Sequence, residues 1–101
     1  MDDCAEACAA CMNRCATCLD KCIGMDGMEA CIRACRDCML ICATCARLCA
    51  ANSDMAPAHA KVCAEACERC HEICSGHDNE HCRACAEACK RCMEECRKMA
   101  A

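Results

Sequence analysis

No phenylalanine, tyrosine or tryptophan occurs anywhere in this chain, so nothing large and flat is available to fill a core. Glycine is limited to three residues and proline to one, too few for the loop-rich scaffolds that small disulfide proteins use. No apolar run approaches the roughly 18 residues of a membrane span, so no membrane contact is expected. Charge of both signs is interspersed, with a formal net of −4, which points to no nucleic-acid partner and no acidic membrane surface. The start, Met1-Asp2-Asp3, is acidic where a secretory leader is basic, and a cytoplasmic location is the expectation. In such a reducing compartment thiols serve metals or catalysis more often than disulfides.

What the chain has instead is cysteine, 21 of its 101 residues. The spacing is regular. Cys4, Cys8, Cys11, Cys15, Cys18 and Cys22 form one run; Cys31, Cys35, Cys38, Cys42, Cys45 and Cys49 a second; Cys63, Cys67, Cys70 and Cys74 a third; Cys82, Cys85, Cys89, Cys92 and Cys96 a fourth. Steps alternating between four and three are the a/d seam of an amphipathic helix. The seam usually holds Leu and Ile; here it holds thiols. The flanking e and g positions are small (Ala5, Ala7, Ala34, Ala46, Ala64, Ala66, Ala86, Ala88), which lets helices approach closely. The f positions are mostly polar (Glu6, Asn13, Asp20, Arg33, Arg47, Glu65, Glu72, Glu87, Glu94), as an outer face should be.

Together with abundant Ala, Glu, Lys and Arg, this predicts an all-α fold. It is an antiparallel up-down-up-down four-helix bundle with a cysteine-lined core, one domain over residues 1–101. The helices are expected at about 3–23, 28–51, 56–74 and 79–98. Gly24 suits a helix C-terminal cap, Asn52-Ser53-Asp54 a break, Pro57 a first helical turn, and Asp78 or Asn79 an N-cap. Short connections favour antiparallel neighbours. One end should then gather Cys4, Cys49, His59, Ala60 and Met99, and the other Cys22, Cys31, Cys74, His77, His81 and Cys82.

Residues four apart on a helix stack on one face, so two sulfurs there can share an ion. Soft thiolates select Cu(I), which needs only two or three sulfurs and no rigid geometry. Each thiol loses a proton on binding. If every thiolate bridges two Cu(I) and every Cu(I) takes two thiolates, one copper replaces one proton and the core stays neutral. Buried net charge is costly, so this filling is favoured, with a capacity on the order of 20 Cu(I). Zinc is the alternative, but a Zn(Cys)₄ centre carries a charge of −2 and needs tetrahedral geometry. Iron–sulfur ligation uses loop cysteines wrapped around a cluster. A copper chaperone or sensor would need few sites and an exposed docking surface. A disulfide-stapled bundle would leave at least one of an odd number of cysteines unpaired. Cysteine as a plain small hydrophobe explains one or two seam positions, not a seam made of it. No catalytic constellation is present, and no enzyme activity is expected.

Cys-Ala-Glu-Ala-Cys recurs at residues 4–8, 63–67 and 85–89 in one heptad register. With Cys31-Ile-Arg-Ala-Cys35-Arg-Asp-Cys38 and the run from His81 to Cys92, this resembles the bacterial copper storage protein (Csp) family over nearly the whole chain. The resemblance implies a four-helix bundle whose cysteines hold many Cu(I) ions. Its cytosolic branch, which the absence of a leader matches, implies a homotetramer that stores copper or buffers it against toxicity. The chain departs from the family in being short and free of aromatics, as a shortened or engineered member would be.

Four residues are candidate ligands at the bundle ends: His77 and His81, four apart at a helix start, and His59 and Met99 at the opposite end. His71, Met12, Met39 and Met93 fall at e positions and are expected to pack rather than bind. Helix 2 is the most apolar on its outer side, with Met39, Leu40, Ile41 and Leu48. Leu40 falls at f, which favours burial of that face against another subunit.

Overall fold

Each cysteine run lies on its own helix, as a seam of alternating fours and threes requires. The structure is a computed structural model that describes residues 2–101; Met1, part of the acidic start, lies outside them. Within that range are helices α1 (Asp2–Cys22), α2 (Glu29–Ala50), α3 (Ala56–Ser75) and α4 (Glu80–Ala100), and no strand. None of the four is long and apolar enough to cross a membrane.

The helix ends follow from local chemistry. Gly24 takes φ +87° just past α1, a conformation that costs glycine nothing. Past α2 the same role falls to Asn52, at φ 57°. There Ser53 N donates to Leu48 O at 2.9 Å and Asn52 N to Cys49 O at 3.1 Å, the paired closing bonds of a Schellman turn. At the start of α3, Ser53 Oγ accepts from Met55 N at 3.1 Å, and Pro57 lies in the first turn, where its missing N–H is not needed.

The helices run up and down in chain order. α1 packs on α2 and α4, and α3 packs on the same two neighbours, while across the diagonals no backbone approach occurs among the described residues. The result is a rod of 42 × 18 × 17 Å. The antiparallel register is visible in sulfur pairs: as α1 ascends, Cys4, Cys8, Cys11, Cys15 and Cys18 meet Cys96, Cys92, Cys89, Cys85 and Cys82 of α4. Between α2 and α3, Cys31, Cys35, Cys38 and Cys42 meet Cys74, Cys70, Cys67 and Cys63.

The core is sulfur. All 21 cysteines are at most 3% exposed, and Ala7, Ala34, Ala64 and Ala86 are buried beside them. No polar or charged residue is buried among the described residues. Met12, Met39 and Met93 pack half-buried against this core, as their e positions lead one to expect. Ion pairs such as Arg97–Glu68 (3.0 Å) are exposed and contribute little.

Candidate metal centre

The thiols are free and touch one another along the whole axis. Within a helix, sulfurs four residues apart lie close, as for Cys11–Cys15 (3.9 Å) and Cys38–Cys42 (3.7 Å). Between neighbouring helices the contacts are as short: Cys8–Cys92 is 3.5 Å and Cys31–Cys74 is 3.5 Å. They also cross the diagonal, where Cys38 reaches Cys89 at 4.0 Å and Cys42 reaches Cys92 at 3.9 Å. The backbones of opposite helices stay apart; only sulfur spans the middle.

These contacts organise into quartets whose sulfurs all lie within 4.8 Å of one another. One is Cys4, Cys8, Cys45 and Cys96; the next is Cys8, Cys63, Cys92 and Cys96; then Cys11, Cys42, Cys67 and Cys92; then Cys11, Cys15, Cys38 and Cys89; then Cys15, Cys70, Cys85 and Cys89. Each of these five shares at least one sulfur with the next. The first, third and fifth have no member in common and could serve as separate tetrahedral centres; the second and fourth bridge them, so the whole is a continuous ladder in which a sulfur can face two sites at once.

Protonation follows from burial. At the two ends of the bundle, loss of water pushes the thiols of Cys4 and Cys22 from the usual 9.0 up to about 12. Cys18 and Cys82 are raised for the same reason. Deeper inside, thiols share protons. Cys63, beside Cys42, Cys45, Cys67 and Cys8, is drawn down by them; Cys15, beside Cys11, Cys35, Cys38 and Cys70, is pushed up. A metal-free core of this kind holds its protons at neutral pH, because a row of adjacent buried thiolates would be untenable. Any cation that enters must displace them.

The ends differ. At one, the thiol column reaches the mouth: Cys22 lies 3.9 Å from Cys31 and Cys18 lies 3.9 Å from Cys82. His81 Nε2 stands 3.5 Å from Cys22 Sγ, so this histidine joins the sulfur network. His77 does not sit with it on one helix. The chain is extended at Asn79 (ψ 147°) and α4 starts only at Glu80, which leaves His77 in the α3–α4 connection. The expected i, i+4 histidine pair is therefore broken by the N-cap between them. At the other end the column stops short on α3 alone, while Cys4 and Cys49 carry it to the end with 3% and 2% exposure. Ala56 and Ala60 are fully buried where α3 would carry its next two cysteines, and half-buried Met99 follows Cys96 on α4 beside Cys4. His59 turns away from the thiols, with Nε2 3.1 Å from the carbonyl of Ile41 on α2. His71 pairs likewise with the carbonyl of Ala86 on α4 at 2.8 Å. Both fasten α3 to a neighbour.

Two residues at the thiol-lined mouth were not among the expected site residues, although Asn79 is the N-cap its type suggests. Met28, the residue before α2, is 3% exposed, and Asn79 Nδ2 donates to Cys82 Sγ at 3.8 Å. Both lie three residues before the first cysteine of their helix, one seam step beyond the cysteine run, and that spacing was the available signal.

The copper storage protein (Csp) family profile matches residues 1–101. Among solved structures, the chain is similar to apo copper storage protein 3 from Bacillus subtilis, with 41% identity and a TM-score of 0.93 over 99% of this chain and 98% of that one. It is also similar to the Cu(I)-bound copper storage protein BsCsp3, with 40% identity and a TM-score of 0.91 over 99% and 97%. The length of the chain is thus that of its solved relatives. No curated protein sequence matches it.

Proposed function

This chain belongs to the copper storage protein family, and we propose that it stores many Cu(I) ions along its axis through thiolates of all 21 cysteines. The observation that carries this reading is the overlap of the sulfur quartets. Two metal–sulfur bonds of about 2.3 Å, the zinc–thiolate length, span about 4.0 Å at a 120° angle and about 4.6 Å when collinear. Sulfur separations of 3.5 to 4.0 Å, such as Cys31–Cys74 and Cys38–Cys89, need little adjustment to reach that range. Because a sulfur faces two sites, it can bridge two ions, and bridging lets each Cu(I) replace one proton with no change in core charge. Filling with Zn(Cys)₄ would use each sulfur once and gather buried negative charge at every layer.

Uptake proceeds by ligand exchange from the mouth that His81, Cys22 and Cys82 form, since half-buried His81 links the outermost buried thiols to the surface there, while alanine closes α3 at the other end. His77 and Met99 flank the two ends, and His59, fastened to α2, has no part in the ligand set. The protein carries out no catalytic step. Free thiols in such number suit a reducing compartment, and we place the protein in the cytoplasm. Exposed Leu40 and Val62 line one recess between α2 and α3, which supports a homo-oligomer, a tetramer on the family resemblance. The decisive experiment is an anaerobic titration of the reduced, metal-free protein with Cu(I) against a chromogenic Cu(I) chelator. Tight uptake of on the order of 20 ions is expected; saturation at one to five would replace storage with a sensor, a chaperone or a zinc-type site.

A further inference from the structure

A ladder of bridging thiolates has ends, and an end sulfur has an ion on one side only. If each inner thiolate is neutralised by sharing two Cu(I), the last sulfur at an open mouth shares one and keeps an excess of negative charge. It is also fully buried in the case of Cys82, so water is not at hand to compensate. Something in the protein must.

Asn79 is placed to do this. Its backbone is the N-cap of α4, at φ −100° and ψ 147°. An asparagine there ordinarily turns its side-chain oxygen onto the backbone N–H groups of the first helical turn. This one makes no such bond. Its Nδ2 donates instead to Cys82 Sγ at 3.8 Å. Cys82 is the third residue of α4, within the turn whose free N–H groups favour negative charge. The same sulfur is 3.9 Å from Cys18, so the asparagine backs the outermost rung of the α1–α4 column. At the alanine-closed end, no side-chain amide is bonded to a cysteine among the described residues.

We propose that Asn79 is a positioning residue for the mouth copper: by donating to Cys82 Sγ, it aims that sulfur into the core and offsets the charge that a singly shared thiolate retains. It touches the ligand and not the ion. The inference rests on the bridged-copper reading above. Hydrogen-bond partners of metal ligands hold the ligand's orientation, and their loss typically costs 10- to 100-fold in metal affinity. The effect here is confined to the ions nearest the mouth.

The test compares wild type with Asn79→Ser and Asn79→Asp. Serine and aspartate are good N-caps and Asn79 makes no capping bond to lose, so neither variant should melt below wild type as metal-free protein. Each is loaded fully with Cu(I), and the chelator is then used to count total ions and to follow how fast the first ones leave. Total capacity should agree within one ion. The fastest-released copper should leave about tenfold faster from Asn79→Ser, and faster again from Asn79→Asp, whose carboxylate cannot donate and repels the thiolate. Identical release from wild type and Asn79→Ser would overturn the proposal, as would an Asn79→Asp protein that holds its ions like wild type. A wild-type capacity of only a few ions would instead remove the storage reading itself, and the total count reports that separately.

Discussion

His81 Nε2 and Cys22 Sγ stand 3.5 Å apart, joining the start of α4 to the end of α1 at the mouth, where the half-buried imidazole covers fully buried thiols. It is the sole imidazole bonded to sulfur among the described residues; His59 and His71 bond backbone carbonyls. Replacing His81 with alanine should therefore leave capacity within one ion of wild type while slowing copper transfer from a small chelate by up to about tenfold. Stopped-flow transfer kinetics would show it. Equal rates would make His81 a bystander.

Cys11 belongs to two quartets, whereas the outermost quartet alone claims Cys4 among those given above. Under the bridging scheme, substituting either Cys11 or Cys4 by serine should lower capacity by about one ion, because one Cu(I) accompanies each thiolate. Cys11→Ala should also destabilise the metal-free bundle by about 1 kcal/mol, the scale for deleting one buried heavy atom. In a chain of this size that is about 4–8 °C in Tm. Native mass spectrometry and thermal melts measure the two effects, and a loss of no ion, or of four at once, would argue against one Cu(I) per shared thiolate.

The thiols of Cys4 and Cys22 lose protons at about 12 in the folded protein, against a usual 9.0. The unfolded chain therefore sheds these protons first as pH rises. Their contribution to stability is complete below about pH 9 and is lost towards pH 12. Metal-free protein should unfold in this alkaline window by circular dichroism. Copper-loaded protein, whose protons have already gone, should not. Loading at pH 7 should release about one proton per Cu(I), read on a pH-stat; fewer would mean that thiolates already exist in the metal-free core.

Leu40 is 59% exposed and Val62 47% exposed, and both line the recess between α2 and α3. Leu40→Glu should shift the protein towards monomer in sedimentation without changing copper capacity. An unaltered oligomer would place the subunit contact elsewhere.

The fold was legible because one residue type marks every core position. The 4-3 spacing gave helix, face and register at once, and Gly24 and Asn52 gave two of the stops. The charges at f and the alanines at e and g were equally readable. The mouth was less so. Whether His77 continues α4 depends on the extended backbone at Asn79, and neither the spacing nor the composition reports a ψ angle. His59 has a seam-end location in sequence, but its ring settles on the Ile41 carbonyl because α2 passes within reach. Met28 and Asn79 interrupt the cysteine series by one step each, so a pattern built on cysteine alone passes over them.

Opposite helices of this rod have no backbone contact and meet only through sulfur. Once ions occupy the axis, all four helices are fastened by the cargo, and the connecting loops become redundant. A single protease cut in the exposed segment at Asp54 and Met55 should then leave a loaded molecule whole, its two fragments migrating together. The same nicked molecule should fall into halves when a chelator draws the copper out. Storage would in that case be a form of assembly, with the stored ion as the last structural part.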